Sequence, residues 1–233
     1  MQEPSDINPD PHMTTDHRPR VAAERRERMR SRLLRSTLRL VAEKGPMATS
    51  IEDVISAAKV SRGTFYKYFP SSEVLIQELV VEIVNELIQV VDPAVRKHDD
   101  PAELVARGIR LVSRLAIHQP ALAACLVRLG WREGQWIDIL KFVKQDLEEG
   151  FRRGRFKRVP MALAVNILAG ASLAATERML ESDFKEDYSM QAAALALRAL
   201  GVDPAEADAI SKQPLDSEDI RIVGWFAETL GSD

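Results

Sequence analysis

The run Ser61-Arg62-Gly63-Thr64, followed by Tyr66, Lys67 and Tyr68, concentrates hydrogen-bond donors and positive charge without the carboxylate or imidazole partners that bond-breaking chemistry needs. Such a set suits recognition of a polyanion. A helix opening at Ser61 would carry Arg62 and Thr64 in its leading turn, the part of a recognition helix that reaches base edges in the major groove. Arg62 and Thr64 are therefore the expected base readers. Tyr66, Lys67 and Tyr68 are suited to phosphate oxygens, and Thr49, Ser50 and Ser72 stand at helix starts, where backbone amides also point at anions. Gly63 adds no side chain and so permits close approach; its other reading is a poor helix former in a first turn. Phe65 is expected in the core between two short helices.

The pattern of apolar residues says what positions this segment. From about 22 to 44, Leu33, Leu34, Leu38, Leu40 and Val41 lie on one helical stripe, and Gly45-Pro46 ends it. Thr49 or Ser50 then caps a short helix through Ile51, Val54, Ile55 and Ala58, with acids in its first turn. The Ser61 helix follows a brief turn and stops before Pro70. Ser71 or Ser72 opens a longer helix with two apolar rows, Leu75, Leu79, Ile83, Leu87 and Ile76, Val80, Val84, Ile88. Beyond Asp92-Pro93 further helices are predicted at about 101–118, 121–129, 134–153, 160–182, 187–200, 204–212 and 217–230. No stretch alternates with period two. The reading is an all-α fold: residues 1–20, rich in proline and poor in large apolar groups, as a disordered extension; 21–70 as a helix-turn-helix domain; 71–233 as a larger helical domain.

Charge is divided along the chain. Between Arg18 and Phe69 there are thirteen Lys or Arg against five acids, and since the total is −3 the remainder carries −11. One end is equipped to meet a polyanion, although an arginine-rich helix with a merely solvated face has the same composition. The single cysteine, Cys125, and the lack of a signal-peptide pattern suggest a reducing, cytoplasmic setting. The longest uncharged run, Val159 to Thr176, is too short and polar for a membrane span. No P-loop, dinucleotide fingerprint or His-Glu-x-x-His is present. Gly170-Ala-Ser-Leu-Ala174 lacks the last glycine of a nucleophile elbow, and four scattered histidines do not form a metal cluster. No catalytic residue, metal or cofactor is expected.

The run from Thr49 to Glu73, with Val-Ser-Arg-Gly-Thr-Phe-Tyr-Lys-Tyr-Phe at its centre, resembles the DNA-binding domain of the TetR (AcrR-type) family, and the likeness covers about residues 25–80. Two departures stand out. Lys59 occupies the inter-helix turn where the family commonly has glycine, so a non-glycine is expected in the left-handed region, with a possible phosphate contact in return. Ser72 and Pro70 replace lysines frequent near the next helix start. The resemblance implies operator DNA as partner, residues from about 71 as a domain for ligand binding and dimerisation, and repression relieved by a small molecule bound within 71–153.

Ligand contacts are expected among Arg107, Arg110, Arg114, His118, Trp131 and Trp136, although arginines are usually solvated and tryptophans usually core. Small residues on two adjacent helices, Ala164, Gly170, Ala171, Ala174, Ala193 and Ala196, would permit close approach of a second subunit; an alanine-rich packing within one chain would look alike. Two other classes compete with the regulator. A helical module for protein or membrane contact would show no salt-dependent DNA binding, and an enzyme would show turnover.

Overall fold

A computed structural model describes residues 17–130, 137–181 and 187–215. Among these the chain is helical throughout, with no strand: α1 (His17–Lys44), α2 (Ile51–Ala58), α3 (Arg62–Tyr68), α4 (Ser72–Val95), α5 (Pro101–His118), α6 (Pro120–Leu129), α7 (Ile137–Arg152), α8 (Met161–Leu180), α9 (Asp187–Ala199) and α10 (Pro204–Ser211). The all-α expectation holds. Helix α1 begins at His17, inside the stretch expected to be unordered, and the helix predicted at 217–230 lies outside the described residues.

Local chemistry sets the boundaries. Gly45, at φ +83°, closes α1 by donating its amide to Val41 O at 2.9 Å. Proline opens α5, α6 and α10 at the first turn, where a missing amide hydrogen is no loss. Helix α4 runs on through Pro93 to Val95 instead of stopping at Asp92. Being so near the C-terminal end, the proline removes one intrahelical hydrogen bond and leaves the Arg96 amide to Asp92 O at 2.8 Å intact.

Helix α5 is the central rod of the larger half, packing against α4, α6, α7, α8, α9 and α10. Its Leu115, Val105 and Ile109 belong to one apolar core that continues through Leu33, Leu34 and Val41 of α1 to Phe65 and Phe69 at the end of α3. The two halves therefore share a core. Two polar links reinforce the junction. Arg30 of α1 donates to Glu78 (2.8 and 3.0 Å) and Glu82 (2.8 Å) of α4, and Arg128 Nε of α6 donates to Ala42 O at 2.8 Å.

Candidate nucleic-acid interface and effector cavity

Helix α2 starts at Ser50, whose hydroxyl accepts from the Asp53 amide while the Asp53 carboxylate accepts from the Ser50 amide, a reciprocal capping box. The same carboxylate takes the Lys44 ammonium at 2.6 Å. That ammonium, with the Ser50 donors, holds the Asp53 carboxyl well below the usual carboxylate range. Thr49 donates its hydroxyl to Gly45 O at 2.8 Å and so is a turn residue rather than the cap.

The turn between α2 and α3 is a Schellman arrangement: Val60 N–H reaches Ile55 O and Lys59 N–H reaches Ser56 O, both at 3.1 Å. It requires a left-handed residue. Lys59 supplies it at φ 51°, ψ 51°, the only non-glycine with positive φ among the described residues. The expectation from the missing glycine is met, and the ammonium stays exposed.

Ser61 caps α3, its hydroxyl accepting from the Thr64 amide at 3.1 Å and lying 2.9 Å from the Thr64 hydroxyl. Phe65 and Phe69 are fully buried with ring centroids 6.1 Å apart, and Tyr66 meets Phe65 edge-on at 5.4 Å. This anchor turns Arg62, Gly63, Tyr66 and Lys67 outward, all exposed, with Tyr68 half-buried against the core. Arg62 keeps 67% of its side chain exposed and pairs with Glu52 at 3.2 Å, a surface contact that a nucleic acid can displace at small cost. A Cβ on Gly63 would meet nothing within 4 Å; intrachain packing does not require the glycine. Ser71, not Ser72, caps α4, accepting from the Val74 amide at 3.4 Å, and Ser72 is the first helical residue.

The larger half holds a partly open cavity of about 160 Å³ lined by residues of α4, α5, α6, α7 and α8. Most are apolar, among them Leu87, Ile109, Val112, Phe142 and Leu168. One corner is charged. Arg96 donates to both oxygens of Asp146 (2.6 and 3.1 Å) and to Asp92 (3.0 Å). Burial pushes the Asp146 carboxyl above its ordinary value in spite of the guanidinium. Two aspartates and one arginine give the corner a net charge of −1.

Several expected ligand residues are elsewhere. Arg107 and Arg110 are buried on another face of α5, reaching Pro214 O (3.1 Å) and Gln213 O (2.5 Å), and Arg114 does not line the cavity. His118 is exposed at the end of α5. Trp131 and Trp136 lie outside the described residues. The cavity also extends beyond residue 153, to Val165, Leu168, Ala169, Ser172 and Leu173 of α8. Arg96 and Asp146 were missed because they are 50 residues apart and resemble any exposed helical ion pair. Cys125 is buried and its thiol is pushed up to about 12, which makes it inert packing.

The small residues divide too. Ala164, Ala193 and Ala196 are buried within the single chain, so they serve α8 and α9 packing in one subunit and offer nothing to a second. Gly170 and Ala174 are exposed and Ala171 half-buried, on a face that also presents Leu163 of α8, with Leu195 of α9 likewise exposed. Among the described residues no group of His, Cys, Asp or Glu converges as a metal site, and no helix is long and apolar enough to cross a membrane.

Two capped short helices on a shared aromatic anchor, followed by a larger helical body with a partly open cavity, define a helix-turn-helix protein with a second, sensor-like half. Comparison with known proteins agrees. Residues 33–79 match bacterial regulatory proteins of the tetR family, and residues 100–213 match the tetracyclin repressor-like C-terminal domain. The solved structure of RolR with the ligand resorcinol is 31% identical, covering 86% of this chain and 100% of that one at a TM-score of 0.58. RolR without ligand is 30% identical, covering 80% and 98%, at a TM-score of 0.65. The HTH-type transcriptional regulator EthR of Mycolicibacterium smegmatis is 32% identical over 92 residues, which is 39% of this chain and 42% of EthR. The chain spans about half or less of the length of the curated relatives it matches. It belongs to the TetR family of bacterial regulatory proteins.

Proposed function

We propose that the protein is a cytoplasmic homodimer that binds operator DNA and represses transcription until a small molecule occupies the cavity. The observation that carries the DNA-binding reading is the outward display of Arg62, Tyr66 and Lys67 on a helix anchored from beneath by Phe65 and Phe69. Half-sites one helical turn apart call for two-fold symmetry, and the exposed α8 and α9 face with Leu163, Gly170, Ala174 and Leu195 is the surface best suited to supply it.

The effector we infer is an uncharged compound of about one aromatic ring carrying a hydroxyl or amine donor. A cavity of about 160 Å³ is close to the roughly 150 Å³ of an engineered apolar cavity that holds benzene. The Asp146 carboxylate is an acceptor for a donor on that ring, and the net negative corner disfavours a carboxylate ligand. Resorcinol in RolR has this chemistry. Since α4 both lines the cavity and follows the recognition helix, a ligand that prefers one pose of α4 shifts the spacing of the two recognition helices.

Fluorescence anisotropy with duplexes from the DNA flanking the gene tests both parts. Binding should weaken with salt. Tyr66→Phe and Lys67→Ala should weaken it on every sequence, whereas Arg62→Ala should also relax base preference. Equal losses on flanking and scrambled DNA in the Arg62 variant would overturn its assignment as a base reader. Resorcinol should release the duplex and benzoate should not; release by benzoate alone would refute the effector class.

A further inference from the structure

Helix α1 is longer than its packing requires. From Pro19 to Arg30 none of its residues is buried; the first is Ser31, and the core contributions come from Leu33, Leu34, Leu38 and Val41. The fourteen residues ahead of Ser31 extend roughly 20 Å at the ordinary helical rise. A helix segment polar on all sides is not held by tertiary burial. Within the chain it has the Arg20–Glu24 and Glu24–Arg28 pairs and the Arg30 link to α4.

Its charge is predominantly positive, and part of it is aligned. Between His17 and Arg32 there are seven arginines against Glu24 and Glu27. Arg25, Arg28, Arg32 and Arg39 recur at helical spacing, which aligns them on one stripe opposite Leu34 and Val41, the residues that face the core. All four are exposed. From Arg25 to Arg39 no acidic side chain falls on that stripe, and Arg25 and Arg32 form no ion pair with any described residue. Like charges at this spacing destabilise an isolated helix; Glu24 offsets this at Arg28, whereas Arg25 and Arg32 have no such compensation among the described residues. A duplex, with one negative charge per about 1.7 Å of axis, turns that repulsion into attraction.

We propose that the solvent face of α1, through Arg25, Arg28, Arg32 and Arg39, is a second DNA contact that binds the phosphate backbone outside the base pairs read by α3. It rests on the DNA-binding reading above and adds affinity without sequence preference. Each phosphate neutralised contributes about 0.9 to the slope of log affinity against log salt.

The test is a salt titration of the full chain on a mixed-sequence duplex, comparing wild type with Arg25→Gln/Arg28→Gln/Arg32→Gln. These side chains are exposed, so unfolding midpoints should match. The expected result is a slope shallower by about 5 for the dimer, three phosphates on each subunit, and an affinity loss equal on mixed and flanking sequences. The corresponding triple lysine variant, which keeps the charges, should restore the slope. An unchanged slope in the folded glutamine variant overturns the proposal, as does a loss confined to one sequence. A wild type that binds no duplex would instead sink the DNA-binding reading itself.

Discussion

Between Thr49 and Ser72 every expected contact at the α2 and α3 end falls in one continuous stretch of chain, and none of those contact residues is buried. The cavity draws its lining from five helices spread between Leu87 and Leu173. A groove reader needs only a short rod, two caps and an aromatic anchor, all specified by neighbours in sequence. A pocket for a small molecule needs walls from elements that meet only after folding. The first region is therefore written locally and the second globally, and substitutions in the two should fail in different ways.

The largest effect is expected at the anchor. Phe65→Ala removes a fully buried ring from beneath α3, and deletion of a buried phenylalanine side chain costs about 3–5 kcal/mol. Because Phe65 shares one core with Leu115 and Ile109 of α5, denaturant unfolding followed by circular dichroism should show one transition at lower midpoint. Two separated transitions would mean that the halves unfold independently and would make the contrast between them sharper than the shared core implies.

Glu86 tests the helix that joins the regions. It is buried on α4, with one carboxylate oxygen unpartnered among the described residues. Burial, with the nearby Glu82 charge, pushes its carboxyl up to about 7 from an ordinary 4.5. A carboxyl that binds its proton more tightly in the folded chain stabilises the fold at low pH, and that advantage is lost as pH rises from about 4.5 to about 7. Glu86→Gln should flatten this loss. Above pH 7 the variant should exceed wild type by on the order of 3 kcal/mol, and the two should converge below pH 4.5. Parallel stability curves across the window would show that Glu86 is charged and solvated in the folded protein.

Gly108 sharpens the comparison from the cavity side. It lines the cavity, and a Cβ there meets nothing within 4 Å. Gly108→Leu should fill the space, raise stability by about 0.5–1 kcal/mol through helix propensity, and abolish release by resorcinol while leaving DNA affinity unchanged. Loss of DNA binding in the absence of any effector would show that filling the cavity itself mimics the ligand.

These differences also explain what could be read from the chain before folding. The cap at Ser61 and the stop before Pro70 each depend on residues within one helical turn, and the left-handed turn at Lys59 followed from a single missing glycine. Arg107 and Arg110 illustrate the opposite case. They were expected among the ligand contacts, but they reach backbone carbonyls more than 100 positions away, which no local pattern reveals. Ala193 and Ala196 fail for a related reason: small residues record that something packs closely, without recording whether the neighbour belongs to the same chain. The start of α1 was misplaced because its first turns bury nothing, and burial was the signal being read.

The smallest effect is expected at Lys59, where the two demands of the recognition region oppose each other. A non-glycine in the left-handed region is strained by about 1 kcal/mol, while glycine loses more chain entropy on folding. Lys59→Gly should therefore stabilise the protein by only about 0.5 kcal/mol. It also removes an exposed ammonium beside the start of α3 in each subunit, which should reduce the salt slope of DNA binding by about 2 on every sequence. A glycine variant that is more stable and binds DNA with an unchanged slope would assign Lys59 no part in DNA binding. A less stable variant would show that the lysine stem packs across the turn and that the Schellman geometry is held by more than its backbone hydrogen bonds.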